Sequence, residues 1–281
     1  MIWVGGEILP DDGLTINAAD RTFEHGLGLF ETLRTWGGRP SLLDAHRARM
    51  LRSAEELGIP IDPATLPVAE DVARLLHAEQ APGDRMIRIT STGGGPDPAG
   101  PVVWMRTHPL PPPTREVGAK VLGSSWMVAR DDPIARHKAL NYWSRRLAFE
   151  KAKAKGFDEV LSMTPGWVYW EGSRSNLFVV EGDRLLTPSL DGPIVPGVMR
   201  RLVLDLSWKL DLKVEEVHGI EGRQFLEADE VFLTNAVRGI MPVSRAVGHN
   251  FPPNWEAPGP WTRSLQDEVS RHLRPDRGET L

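Results

Sequence analysis

One short segment constrains the fold more than any other. Pro109-Leu-Pro-Pro-Pro113 places four prolines in five residues. Each fixes φ and lacks an N–H, so the run continues neither a helix nor a central strand and makes a stiff, extended connector. At roughly 150 residues per domain, a chain of 281 residues has room for two domains. The proline run sets the division: a small N-terminal domain over 1–108, a linker over 109–116, and a larger C-terminal domain over 117–281. Both sides mix strand and helix signals, so the expected class is α/β (α+β mixed) in two domains.

Short strands are expected at Met1–Val4 and just beyond the Gly5-Gly6 turn. Gly28–Trp36 alternates and ends at Gly37-Gly38, a strand running into a tight turn. Residues 44–57 carry Ala45, Ala48, Met50, Leu51, Ala54 and Leu57 at helical spacing before Gly58 stops them. A helix over 67–78 and strands Arg85–Ser91 and Val102–Arg106, around a glycine-rich turn, complete this domain. Past the linker the pattern gives strand Lys120–Ser125 and a helix over Tyr142–Lys155. Strands Val160–Met163, Trp167–Trp170 and Asn176–Val180 follow. Val198, Leu202, Leu206 and Leu210 share one face of a helix over Val198–Leu210. Strand Val231–Thr234 and helix Trp261–His272 finish the domain, with a Pro-rich loop over Gly248–Pro260 and a frayed tail over Pro275–Leu281.

Composition excludes several function classes. Thirty-eight acidic against 33 basic residues give a formal charge of −5, which does not attract phosphate backbones, so no nucleic-acid partner is expected. There is no Cys, hence no disulfide, thiolate metal site or cysteine nucleophile. The start, MIWVGGEILP, has no basic region leading into an apolar run, and no stretch approaches about 20 apolar residues. A cytoplasmic protein without membrane contact is expected. HExxH, GxSxG, GxGxxG and GxxxxGK[ST] are all absent, against zinc hydrolases, α/β-hydrolases, Rossmann enzymes and P-loop NTPases. No metal site is expected.

A few residues can carry chemistry. Lys138 lies between a strand and a helix, where Arg136 and His137 would favour the neutral amine that attacks a carbonyl; a surface lysine is the alternative. Glu171 ends the apolar strand Trp167–Trp170, either as an ordinary strand-end carboxylate or as the partner of a protonated heterocyclic nitrogen. Pro193–Arg200 runs into a helix whose first N–H groups form a ready phosphate site, with Gly197 allowing close approach, unless it is a plain proline-started helix. Thr234–Gly239 offers a second set of free amides after a strand.

Taken in order, these segments resemble the class IV pyridoxal-phosphate (PLP) aminotransferases of fold type IV. That family includes branched-chain and D-amino-acid aminotransferases and aminodeoxychorismate lyase. The resemblance spans roughly residues 1–247. It is carried by Asp20-Arg21, Gly26–Thr32, His46–Met50, His137–Asn141, Glu171–Phe178, Leu186–Pro188, Pro196–Arg200, Ala228–Glu230, Thr234–Ala236 and Met241–Val243. It implies PLP bound between the domains, with Lys138 as the lysine that forms the Schiff base and moves the substrate proton. Glu171 would keep the pyridine nitrogen protonated. Arg49 would bind the phosphate, with Val198, Met199, Asn235 and Ala236 as further donors. Asn176 and Val195 would flank the ring, and Tyr142 would contact the cofactor or pack in its helix. The reaction implied is amino transfer between an amino acid or amine and a 2-oxo acid. Aminodeoxychorismate lyase activity and a PLP-binding protein without turnover are the alternatives. A homodimer is implied as well.

The pattern also departs from the family. His25 stands where many relatives carry Tyr or Phe, and Leu27 replaces the Asp of Gly-Asp-Gly. The Arg-x-His carboxylate trap of bacterial D-amino-acid enzymes is absent; Thr90–Gly95 occupies that region. The expected substrate residues are His25, Phe30, Arg34, Arg106 and Arg238. Arg238 either pairs with a substrate carboxylate in bidentate fashion or faces solvent, and a satisfied loop histidine is the alternative for His25.

Overall fold

The alternating run Gly28–Trp36 folds as a strand of nine residues, with the bounds its pattern predicts. The computed structural model describes residues 1–95, 100–113, 117–248, 251 and 254–274. Its residues group into two units. One comprises the chain to Pro111 together with His137–Tyr142 and the chain from Leu273; the other comprises Pro112–Arg136 and Trp143–His272, and so all of the C-terminal helix but its last residue.

The first unit contains β1 (Ile2–Val4), β2 (Glu7–Leu9), α1 (Arg21–His25), β3 (Gly28–Trp36), β4 (Arg39–Pro40), α2 (Leu43–Glu56), α3 (Ala69–Glu79), β5 (Arg85–Thr92) and β6 (Val103–Pro109). Its six strands run β2-β1-β6-β5-β3-β4, each pair antiparallel. Gly37 and Gly38 both take positive φ, the geometry of a two-residue hairpin that matches strand twist. Leu29, Leu33, Ile87, Ile89 and Met105 are buried with Met50 and Ala54 of α2 and Val72 and Leu75 of α3. Each of these side chains larger than alanine contributes about 1.5–3 kcal/mol. The buried residues of α2 are Leu43, His46, Arg49, Met50, Ser53 and Ala54. Three strongly polar side chains on a face that should be apolar mark a place where the pattern serves something other than packing.

The second unit contains β7 (Ala119–Met127), α4 (Trp143–Ala154), β8 (Glu159–Thr164), β9 (Val168–Gly172), β10 (Asn176–Glu181), β11 (Arg184–Pro188), α5 (Val198–Ser207), β12 (Lys213–Val217), β13 (Ile220–Glu221), α6 (Gly222–Glu227), β14 (Glu230–Asn235), β15 (Gly239–Gly248) and α7 (Pro260–Leu273). The sheet order is β12-β11-β10-β14-β15-β7-β8-β9-β13, and β9 also pairs with β10. That extra pairing closes six strands into a ring through one register pair, Glu171 opposite Asn176. Val121, Leu161, Tyr169, Leu177, Leu233 and Met241 belong to the main apolar cluster of this unit.

Several elements differ from the sequence pattern. The helix begun at Val198 ends at Ser207 and continues as a 3₁₀ turn to Leu210. β6 runs on to Pro109. β11, β12, β13, α6 and β15 were not expected. In β15 the proline discourages a strand assignment, yet the ladder to β7 begins only at Val243, just past Pro242. β12 is largely exposed and charged, so it lacks the apolar alternation that signals a strand. The expected tail over Pro275–Leu281 lies outside the described residues.

Candidate active site

In the first unit, Glu31 of β3 is buried against α2. Arg49 Nε donates to its Oε1 at 2.7 Å, a second guanidinium nitrogen reaches Oε2, and His46 Nδ1 lies 2.7 Å from Oε2. Burial pushes the Glu31 carboxyl up, but Arg49 and then His46 outweigh it and hold it far below the usual carboxylate range. Burial pushes the His46 imidazole down; Glu31 opposes this, while Arg49 and Lys138 add to it. Because the ionised Glu31 only accepts, the Nδ1 of His46 donates to it. His46 Nε2 is buried with no hydrogen-bond partner among the described residues. Arg49, the residue expected at the phosphate, is thus fixed in plane by Glu31. The sequence reading assigned no role to Glu31 or His46.

Lys138 sits beside the same strand. Its carbonyl accepts from Phe30 N at 2.9 Å, and Leu140 N donates to Gly28 O at 2.9 Å, so the segment His137–Tyr142 is stitched to the start of β3. The Nζ of Lys138 lies 4.4 Å from the centroid of the Phe30 ring and 6.0 Å from that of Tyr142. Phe30 and Tyr142 meet edge to face at 5.2 Å. The adjacent His137 is buried, with Nδ1 3.0 Å from Ser53 Oγ and Nε2 3.6 Å from Glu56.

The predicted substrate residues of this unit are held differently. Arg88 of β5, which the sequence reading passed over, stacks on Phe30 with its guanidinium carbon 3.9 Å from the ring centroid. It has no carboxylate partner among the described residues, and burial lowers its pKa. Its cross-strand neighbours are Thr32 and Arg106. Two guanidiniums directly opposite each other destabilise a sheet. Arg106 donates to Asp11 O at 2.9 Å and keeps its Nε buried and unpartnered among the described residues. Burial, then Arg88, Arg106 and Arg85, push the nearby His108 down, the signature of a positive local potential. Arg34 is otherwise engaged, 3.6 Å from Asp84 and over the Trp36 ring at 4.2 Å. His25 ends α1 with its side chain 64% exposed and 3.8 Å from Glu24. A charged residue in the middle of the apolar run Met86–Thr90 was the available signal for Arg88.

In the second unit, Glu171, Asn176 and Thr234 are register partners across β9, β10 and β14. Directly opposed residues share a face of a sheet, so ring closure lines the three up. Glu171 Oε2 accepts from Val195 N at 3.1 Å and from Asn176 Nδ2 at 3.4 Å. Asn176 Nδ2 also donates to Val195 O at 2.9 Å. The structure therefore brings together the three residues predicted around the cofactor ring. Glu171 Oε1 accepts from Arg145 at 2.6 Å, a contact the sequence reading missed.

Helix α5 starts against this row. Its N-cap is Gly197, with no side-chain cap on the first N–H groups, so Val198 and Met199 present orphan donors in the positive field of the helix start. A Cβ on Gly197 would lie 1.9 Å from Asn176 Oδ1, so only glycine permits the approach. Thr234 Oγ1 is buried without a partner among the described residues. Beyond it, Asn235 Oδ1 accepts from Val237 N at 3.0 Å and Arg238 N at 2.8 Å, turning the loop sharply at Ala236. Arg238 is half-buried; burial and Arg174 lower its pKa while Asp158 and Glu159 raise it.

Comparison with known proteins places this arrangement. Residues 28–246 match the family described as amino-transferase class IV, and the chain belongs to that family, whose members depend on PLP and share fold type IV. A probable branched-chain-amino-acid aminotransferase of Thermotoga maritima is 31% identical over 271 residues, covering 95% of this chain and 94% of the relative. A D-alanine aminotransferase of Bacillus licheniformis is 26% identical, covering 98% of each. The crystal structure of 4-amino-4-deoxychorismate lyase from Pseudomonas aeruginosa matches with a TM-score of 0.83 at 29% identity, covering 97% of this chain and 99% of that one.

The described residues fit the cofactor. An anchored carboxylate suits a ring N–H. The uncapped start of α5 and the orphaned Thr234 hydroxyl are donors waiting for an anion.

Proposed function

We propose that the chain is a transaminase that moves an amino group between an amino acid, or a simple amine, and a 2-oxo acid. The observation that carries this reading is the Glu171–Asn176–Thr234 row, where a buried, already oriented carboxylate stands in register with an unsatisfied hydroxyl. When bound, PLP supplies a ring that accepts electrons from the substrate's α-carbon. Glu171, held by Val195 N and Asn176, orients the ring nitrogen and keeps its proton. The N–H groups of Val198 and Met199, with Thr234, Asn235 and Ala236, receive the phosphate, as does Arg49. Lys138 Nζ holds the cofactor in the resting state and carries the proton away from the substrate's α-carbon, a role worth about 10² to 10⁴-fold. Phe30 and Tyr142 limit where that amine can move. Arg88 receives a substrate carboxylate, because it is a desolvated guanidinium beside Phe30 whose charge no described carboxylate neutralises. Arg106 and Arg238 are the secondary positions for such an anion, and His25 lies outside this set.

Purified protein reconstituted with PLP is expected to show the visible band of the lysine-bound cofactor, and Lys138→Ala to lose both the band and amino transfer. A wild-type protein that stays colourless after reconstitution overturns the reading. The lyase is the second reading, supported by the 29% identity to the Pseudomonas enzyme. Release of pyruvate and 4-aminobenzoate, without oxo-acid-dependent amino transfer, would select it. A protein that binds PLP but converts no amine spectroscopically would be a binding protein instead.

The same reading extends to a homodimer. It is implied by the family, and Trp143 and Leu147, one turn apart on α4 and 72% and 40% exposed, are an apolar pair that a second copy would cover. A fully active monomer in sedimentation would exclude this. Among the described residues no helix is long and apolar enough to cross a membrane.

A further inference from the structure

Arg145 is absent from the roles assigned above, yet it makes the closest charged contact with Glu171. It lies on α4 three residues before buried Ala148 and seven before buried Ala152. That spacing puts it on the inward stripe, where an amphipathic helix places an apolar side chain. Only 11% of its side chain is exposed. The guanidinium donates to Glu171 Oε1 at 2.6 Å and to Ala135 O at 2.9 Å, and its carbon lies 5.5 Å from the centroid of the Trp126 ring.

Orientation alone does not call for this arginine. The neutral donors Val195 N and Asn176 Nδ2 already fix Oε2. Nor does stability call for it, since replacing a buried ion pair by well-packed apolar residues is often neutral or favourable. What the guanidinium adds is charge. A carboxylate oxygen that already accepts from a cation attracts a further N–H less strongly, and the same cation repels a protonated ring nitrogen. Both effects have one sign.

We propose that Arg145 is a positioning residue that divides the Glu171 carboxylate, so that the ring nitrogen of the cofactor holds its proton less tightly than Glu171 alone would make it. This rests on the assignment of Glu171 to that nitrogen. The protein thereby limits how strongly the ring draws electrons from the substrate, and the proton released from the ring nitrogen at high pH goes to solvent.

The test is nitrogen-15 NMR of the holoenzyme, reconstituted with PLP labelled at the ring nitrogen and titrated from neutral to alkaline pH. The wild type is expected to lose the ring proton within that range. Arg145→Gln and the apolar Arg145→Met should move the midpoint up by about one pH unit or more, and Arg145→Lys should restore the wild-type value. Because Met fills the space without charge, at least one of the two neutral variants is expected to fold, which circular dichroism checks. Wild-type and neutral-variant midpoints that coincide overturn the proposal, as does a wild-type ring that stays fully protonated to the alkaline end. Glu171→Gln separates the two levels of inference. It should leave the ring nitrogen unprotonated at neutral pH. If it changes nothing, the Glu171 assignment falls and the Arg145 proposal with it. If it acts and the Arg145 variants do not, only the Arg145 proposal falls.

Discussion

Each unit has a carboxylate and a guanidinium that are both largely buried and paired, Glu31 with Arg49 and Glu171 with Arg145, and the two pairs are built to different ends. Glu31 receives Arg49 on both oxygens and His46 besides. Two cationic or proton-bearing partners enclose one anion, and all three groups come from β3 and the inward stripe of α2. Glu171 receives the Arg145 guanidinium on one oxygen and the neutral donors Val195 N and Asn176 Nδ2 on the other. Glu31 is arranged to stay ionised and still, a bracket that fixes Arg49. The Glu171 carboxylate meets mixed charged and neutral donors, which suits the role proposed for it, holding a proton on a ligand without capturing it.

The largest effect that tests this contrast is on stability. Glu31→Gln leaves the Arg49 guanidinium buried with its charge unmatched, and breaking a buried pair from one side costs about 3–5 kcal/mol. Urea unfolding of Glu31→Gln should show most of that loss. Glu171→Gln also leaves a largely buried guanidinium, Arg145, unmatched, but should lose less, because Glu31 matches Arg49 on both oxygens and Glu171 meets Arg145 on one. Equal destabilisation in both would erase the distinction.

Acid should then expose the Glu31 bracket in two stages. His46 has a folded pKa below its ordinary 6.5, so below that pH the unfolded chain takes a proton that the folded protein resists. Stability present above 6.5 is lost as pH falls. Glu31 has a folded pKa far below its ordinary 4.5, so a second loss begins beneath 4.5. The urea midpoint should begin to fall as pH drops through 6.5 and fall more steeply below 4.5. His46→Gln should flatten the upper stage and keep the lower one. A wild-type midpoint constant over the upper range would show that the buried imidazole does not titrate with unfolding.

Local periodicity made much of this legible. β3 and α2 follow directly from alternation and helical spacing, and Lys138, Glu171, Asn176 and Val195 lie in short motifs to which the family resemblance assigns roles without the fold. Long-range pairing was not readable. The closure of β9 on β10 rests on one register pair, which no local pattern encodes. The grouping of His137–Tyr142 with the first unit leaves no mark in composition. Arg145 reads on sequence as one of the charges of an ordinary exposed helix, because a buried arginine and a solvated one look alike until Ala148 and Ala152 are known to face inward. For the same reason His46 and Glu31 stood inside recognised segments without a role. Their meaning is mutual, and it appears only when a strand and the following helix are packed.

The smallest effects come from two arginines on one sheet face. Arg34 and Arg88 occupy neighbouring strands, with Arg34 opposite Met86 and Arg88 opposite Thr32. Asp84 and Trp36 already engage Arg34, while Arg88 has an aromatic ring and no described counter-charge. An ion that meets its partner within the protein has little left to offer a substrate; one that does not has paid desolvation with nothing yet in return. Arg88→Met should therefore lower kcat/KM for a carboxylate substrate by about 10- to 150-fold, the span of a hydrogen bond to a charged group. Most of that loss should appear in KM. A donor amine lacking a carboxylate should barely notice the change. Arg34→Gln should alter either substrate by less than about 1 kcal/mol, the scale of a partly exposed ion pair. Should Arg34→Gln prove the more damaging for carboxylate substrates alone, internal neutralisation would be the wrong criterion, and the search for the anion receptor would move to Arg106 and Arg238.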